Sequence, residues 1–127
     1  MSSSEAVKLR IVVLDDEPLV LAGVSMLLES LGHQVFQAAN GEEVLEALVD
    51  GQRFNVGILD LNVRSGRGGQ EIVSEVAEID PDMKLIVTSG YRSDDIMVNC
   101  RQFGFQDALP KPFSRNQLSE LIDRLFQ

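Results

Sequence analysis

The chain of 127 residues has the size of one compact domain, and its 44% hydrophobic and 24% charged residues are typical of a folded globular protein. A net charge of −9, from 20 acidic and 11 basic residues, argues against a surface that neutralises nucleic-acid phosphates. No apolar stretch approaches the roughly 18 residues of a membrane span, and the single cysteine, Cys100, excludes an internal disulfide and favours a reducing compartment such as the cytoplasm.

The amino terminus lacks the apolar core of a signal peptide, so secretion is not expected. Residues 1–7 are interpreted as a tag or linker remnant, and residues 8–127 as one domain.

Short β-branched segments alternate with longer segments of helical spacing. Pro18 suits the first turn of a helix, while Asn40 and Ser114 suit helix caps because Glu43 and Gln117 follow three residues later. In chain order the predicted elements are strand 8–14, helix 18–32, strand 34–38, helix 40–51, strand 55–59, helix 69–79, strand 84–88, helix 93–104, strand 106–109 and helix 114–126. This order predicts an α/β three-layer sandwich, in which a parallel five-stranded sheet carries helices on both faces.

Polar residues follow the strands at the end where open parallel sheets bind their ligands. They are Asp15, Asp16 and Glu17 after the first strand, Asp60 after the third, Ser89 and Gly90 after the fourth, and Lys111 after the fifth. Clustered carboxylates repel each other unless a cation neutralises them, and a hard divalent ion, Mg²⁺ or Mn²⁺, suits oxygen ligands. With Lys111 for an anion and Ser89 for a hydrogen bond, the set suits phosphoryl transfer, and Asp60 is the candidate nucleophile.

Four motifs occur in this order along the chain: LDDEP at 14–18, ILDLNV at 58–63, VTSGY at 87–91 and KPF at 111–113. Together they resemble the receiver domain of response regulators in two-component signalling, from Lys8 to Phe126. The resemblance implies a flavodoxin-like fold with strand order 2-1-3-4-5. The segments LNVRSGRGGQE and SGYRSDDIMVNCRQFGFQDALPKPF most resemble receivers at the C-terminal end of hybrid sensor histidine kinases.

The resemblance also implies a role for each site residue. Asp60 accepts a phosphoryl group from a phosphohistidine. Asp16 binds Mg²⁺ together with Asp60, Asp15 helps through water or by positioning it, and the backbone carbonyl of Asn62 is a further ligand.

The remaining site residues contact the phosphoryl group or form the switch loop. Ser89 and Lys111 are expected to contact phosphoryl oxygens, Gly90 lies in the switch loop, and Lys111–Pro112 is expected to be a cis peptide.

The implied partner is a histidine kinase or a histidine phosphotransfer domain in the cytoplasm. A homodimer through the face of the fourth helix, fifth strand and fifth helix is a further expectation, with no contact to nucleic acid or membrane. Such a domain catalyses its own phosphorylation and slow dephosphorylation, and it is not an enzyme acting on free substrates.

Two positions depart from the family pattern. Arg64 stands where the family usually has proline, which suggests that its basic loop tunes phosphoryl lifetime or partner choice. Ala108 stands where many receivers carry a switch tyrosine or phenylalanine. Either Tyr91 or Phe105 replaces that ring, or the domain passes on phosphate with little change of shape.

Two other functions remain open at this point. A pseudo-receiver would bind partners without being phosphorylated. An aspartate-nucleophile phosphohydrolase of the haloacid dehalogenase type would also use Mg²⁺, aspartate and lysine, but its nucleophile follows the first strand.

Overall fold

The computed structural model describes residues 8–64, 66–91 and 94–126. The predicted alternation of strands and helices is confirmed, with most bounds within two residues of the prediction. The elements are β1 Arg10–Leu14, α1 Pro18–Ser30, β2 Gln34–Ala38, α2 Gly41–Val49, β3 Val56–Asp60, α3 Gly69–Ile79, β4 Lys84–Ser89, α4 Asp95–Val98, β5 Asp107–Pro110 and α5 Arg115–Leu125. The interpretation of residues 1–7 as a remnant lies outside the described residues and stays a prediction.

The five strands form one parallel sheet in the order β2-β1-β3-β4-β5, which confirms the predicted flavodoxin-like topology. Successive residues of β1 point to opposite faces of the sheet, as they must in a strand. Ile11 and Val13 pack with α1 and α5, whereas Val12 and Leu14 pack with α2 and α3. Both faces of the sheet are therefore covered, and its carboxyl edge is left for the polar residues.

The predicted helix caps are also confirmed. Asn40 accepts a hydrogen bond from the amide of Glu43 at 3.0 Å, and the Glu43 side chain accepts one from Ala39 at 2.7 Å. Ser114 and Gln117 pair reciprocally at the start of α5. These caps satisfy amides that the first helical turn leaves without partners.

The fourth helix differs from the continuous helix predicted over 93–104. It runs only from Asp95 to Val98, breaks at Asn99 and continues as a 3₁₀ turn, Cys100–Phe103. The Asn99 side chain donates to Asp95 at 2.7 Å. Asparagine is a poor residue inside a helix because its amide competes for local hydrogen bonds. Ser93, the predicted first residue of this helix, lies outside the described residues.

Among the described residues, no helix combines the length and the apolar character that crossing a membrane would require.

Candidate functional site

The ends of β1 and β3 hold two carboxylates side by side. Leu14 pairs with Leu59 across these neighbouring strands, so the next residues, Asp15 and Asp60, lie opposite each other. Both are buried, with 3% and 6% of their surfaces exposed. Asp16 joins them, and the three residues each offer a carboxylate oxygen within 4.8 Å of the others. The predicted acidic cluster is therefore present.

Lys111 lies between the two buried carboxylates. Its Nζ is 2.8 Å from Asp15 Oδ2 and 3.3 Å from Asp60 Oδ1. The backbone amide of Lys111 donates to the carbonyl of Ser89 at 2.9 Å, which ties the lysine to the end of β4. The Lys111–Pro112 peptide is cis, as expected.

Burial is the largest influence on the pKa of Asp60. It raises the pKa of Asp60 to about 6; Lys111 opposes this rise, while Asp15 and then Asp16 add to it. For Lys111, burial by itself lowers the pKa, but hydrogen bonds and charge attraction from Asp15 and Asp60 outweigh it, and the net pKa is raised. At neutral pH the site therefore holds a charged lysine and an ionised Asp60 carboxylate.

Ser89 ends β4 directly beside β3. It is buried, and its Oγ accepts a hydrogen bond from the amide of Tyr91 at 3.1 Å. Thr88 pairs with Asp60 across the two strands, so Ser89 lies one residue further toward the site. Gly90 follows on the surface, where an added Cβ would meet nothing within 4 Å.

The glycine-rich loop after β3 has a packing reason. A Cβ on Gly68 would collide with the carbonyl oxygen of Leu61, and a Cβ on Gly69 would lie 2.9 Å from Leu59 Cβ. The two glycines therefore let the start of α3 pass directly over the backbone that carries Asp60.

The contacts of Arg64 and Glu17 could not be inferred from the sequence. The Arg64 amide donates to Asp16 Oδ2 at 2.8 Å, and its guanidinium lies 3.1 Å from Glu17 Oε1. The Glu17 amide in turn donates to Asp15 Oδ1 at 2.9 Å. Arg64 and Asp16 are 48 residues apart, and no periodicity or spacing motif indicates such a pair.

The remaining predicted positions differ in how far they are buried. Asn62 is exposed on the loop after β3, and the metal-binding role of its carbonyl stays a prediction. Ala108 packs at the edge of the core. Phe105 is fully buried, whereas the Tyr91 ring is exposed. Of the two rings offered as substitutes for the missing switch aromatic, only Tyr91 is therefore free to move without opening the core.

The outer face of α1 borders the site and is uncharged from Pro18 to Leu28. Leu19 is 88% exposed there, and Met26 is also exposed. A groove of about 400 Å³ separates this helix from the segment after β5. Its lining is Val20, Gly23, Val24 and Leu27 on one side and Lys111, Pro112 and Phe113 on the other. Sequence reasoning did not single out this face.

The donor set fits a hard divalent cation. Asp15, Asp16 and Asp60 supply only oxygen ligands, which Mg²⁺ prefers, and usually one or two carboxylates suffice for it. Lys111 pairs with Asp15 and Asp60, rather than with Asp16, and so offsets part of the repulsion among the three carboxylates.

Comparison with known proteins gives a consistent result. The family model of the response regulator receiver domain matches residues 11–123. The sensor kinase CckA of Brucella abortus is 32% identical over 121 residues, which cover 92% of this chain and 12% of the kinase. Sporulation initiation phosphotransferase F of Bacillus subtilis is 27% identical over 119 residues, which cover 91% of both proteins. The chain thus spans a small part of one relative and nearly all of the other.

Solved structures agree with the sequence comparisons. A CheY-like response regulator receiver domain protein from Methanospirillum hungatei superimposes with a TM-score of 0.83 at 27% identity, covering 94% of both chains.

Proposed function

Because the chain belongs to the response regulator receiver domain family of two-component signalling, we propose that its Asp60 accepts a phosphoryl group from a phosphohistidine in a reaction that requires Mg²⁺ or Mn²⁺. The observation that carries this proposal is the buried Asp60 carboxylate, 3.3 Å from the Lys111 ammonium and clustered with Asp15 and Asp16. Receiver domains interact with histidine kinases or phosphotransfer proteins, and one of these is the donor here.

The site residues divide the chemistry among them. An Asp60 carboxylate oxygen attacks phosphorus, the bond from phosphorus to the donor imidazole breaks, and its electron pair stays on the imidazole nitrogen. The Lys111 ammonium and the Ser89 hydroxyl pair with phosphoryl oxygens. A divalent ion held by Asp16, Asp60 and the Asn62 carbonyl, with Asp15 assisting through water, would supply further neutralisation of the phosphoryl charge.

Phosphorylation by a small donor tests this proposal. We expect wild-type protein incubated with acetyl phosphate and Mg²⁺ to gain the mass of one phosphoryl group, and to gain none when EDTA replaces Mg²⁺. The acyl phosphate should then disappear slowly by self-catalysed hydrolysis. No mass gain, together with no binding of the phosphoryl mimic beryllium fluoride, would favour a pseudo-receiver. Steady turnover of a phosphomonoester would instead favour a phosphohydrolase.

We propose that the uncharged face of α1 receives a helix of the phosphohistidine donor. This face is continuous with Lys111 through the groove at Pro112 and Phe113. A donor helix seated there would bring its histidine to the site, and burial of the exposed Leu19 and Met26 would stabilise the complex.

Replacing Leu19 with glutamate tests this docking face. The change should slow transfer from a phosphorylated histidine phosphotransfer protein about tenfold or more, because a central apolar anchor is typically worth more than 1 kcal/mol. Phosphorylation by acetyl phosphate should be unchanged. Val49→Glu is the matched control, since Val49 is 74% exposed on α2, away from the groove. Equal transfer by wild type and Leu19→Glu, or an equal loss in both variants, would contradict docking on α1.

The 32% identity to CckA supports a place as the receiver of a hybrid kinase, and the lone cysteine suits the cytoplasm. The homodimer through α4, β5 and α5 stays a prediction; Arg124 and Asp107 form a 3.1 Å ion pair on that face.

A further inference from the structure

Arg64 places a positive charge at the mouth of the acidic pocket. Its guanidinium contacts Glu17 Oε1 at 3.1 Å, and its Nε lies 3.8 Å from Asp16 Oδ2. The side chain is 82% exposed, whereas that of Asp16 is 12% exposed. The arginine thus reaches from solvent onto a carboxylate that faces the site.

The two kinds of contact made by Arg64 have different consequences. Its backbone amide binds Asp16 Oδ2 at 2.8 Å and orients the carboxylate without adding a full charge. Its guanidinium adds a full positive charge beside the same oxygen. Exposed ion pairs contribute only about 0–1 kcal/mol, so a stronger cation can displace the guanidinium, although at a measurable cost.

We propose that the Arg64 side chain, held by Glu17, is a tethered counter-cation that competes with the divalent metal ion for Asp16 and so lowers the metal affinity of the resting pocket. The inference rests on the proposed function, because it takes Asp16 to be a metal ligand. The guanidinium already neutralises part of the negative charge that attracts the metal ion. Its positive charge also repels a bound metal ion. Arg64 therefore raises the metal concentration at which the pocket fills.

Metal affinity of Arg64 variants tests this competition without any phosphorylation step. The thermal unfolding midpoint is measured against MgCl₂ concentration, relative to EDTA, and gives an apparent dissociation constant. Arg64→Ala should bind Mg²⁺ about threefold more tightly than wild type, which corresponds to the weak energy of an exposed pair. Arg64→Lys retains the charge and should stay close to wild type.

Arg67→Ala is the matched control, because it removes the same charge from the same loop. Arg67 pairs with Glu42 and Glu75 rather than with the site, so the Mg²⁺ affinity of the Arg67→Ala protein should equal that of wild type. If this variant does not fold, Arg101→Ala replaces it, since Arg101 is exposed on the 3₁₀ turn. Unchanged or weaker binding by Arg64→Ala, or an equal gain in the control, would overturn the competition. No Mg²⁺ response in wild type would instead overturn the proposed metal site itself.

Arg64→Pro separates the backbone contact from the side-chain contact. Proline lacks the amide hydrogen, so Asp16 loses its 2.8 Å hydrogen bond as well as the guanidinium. This variant should bind Mg²⁺ less tightly than Arg64→Ala. Equal affinities of the two variants would show that the amide does not position Asp16 for the metal.

Discussion

The Lys111→Met protein should fold but should be about 2 kcal/mol less stable than wild type at neutral pH in EDTA, and it should not be phosphorylated. Lys111 contacts Asp15 at 2.8 Å and Asp60 at 3.3 Å, and its loss leaves two buried carboxylates without their cation. Removing one partner of a buried pair costs about 3–5 kcal/mol; we expect less because Lys111 is partly exposed and Asp60 can take up a proton. Urea unfolding with and without Mg²⁺ measures the change.

The matched control for this substitution is Lys84→Met, which removes the same charge at the start of β4. Its stability should stay close to that of wild type, and its phosphorylation by acetyl phosphate should be retained. Mg²⁺ should restore part of the stability of Lys111→Met, since it neutralises the same carboxylates. Wild-type stability in Lys111→Met, or an equal loss in both variants, would show that the lysine does not compensate these charges.

Replacing Asp60 with asparagine should stabilise the metal-free fold at neutral pH by up to about 3 kcal/mol. The pKa of Asp60 in the folded protein is raised from 3.8 to about 6. In that pH interval the folded state binds more protons than the unfolded state, so stability falls as pH rises. The favourable contribution is fully present below about pH 4 and is lost as pH rises through about 6. Asparagine does not titrate, so position 60 should contribute no loss of stability to Asp60→Asn as pH rises.

Thermal or urea unfolding of wild type and Asp60→Asn across this pH range in EDTA checks the direction in which stability changes with pH. The two should be close in stability below about pH 4, should diverge between about pH 4 and pH 6, and should keep a constant difference above that range. Added Mg²⁺ should narrow the difference, because the ion stabilises the Asp60 carboxylate more than the asparagine amide. Asp82→Asn, in the exposed loop after α3, should follow wild type. Lower stability of Asp60→Asn at neutral pH would contradict the burial penalty.

Local rules account for much of what the sequence predicted. Asn40 and Ser114 cap their helices through hydrogen bonds to residues three positions later, so short segments contain the necessary information. The strand ends could also be placed, because Asp60 and Lys111 directly follow apolar segments in a parallel sheet. The roles of these two residues were expected from the family resemblance.

Long-range and competing local interactions account for what the sequence did not predict. The contact of Arg64 with Asp16 depends on how two loops meet across the sheet edge, and only the folded backbone brings them together. The break at Asn99 reflects a balance between helix continuation and local hydrogen bonding. Spacing also did not show that the face of α1 around Leu19 remains uncovered, since a helix of this composition could equally be buried on all sides.

Locating the phosphoryl group after reaction with acetyl phosphate and Mg²⁺ tests the central claim most directly. Borohydride reduces an acyl phosphate of aspartate to homoserine, which marks the modified position for peptide mass spectrometry. We expect the reduced residue at position 60 in wild type and none in Asp60→Asn. Homoserine at Asp15 or Asp16, or a phosphoryl group on His33, would contradict the assignment of Asp60 as the phosphoryl acceptor.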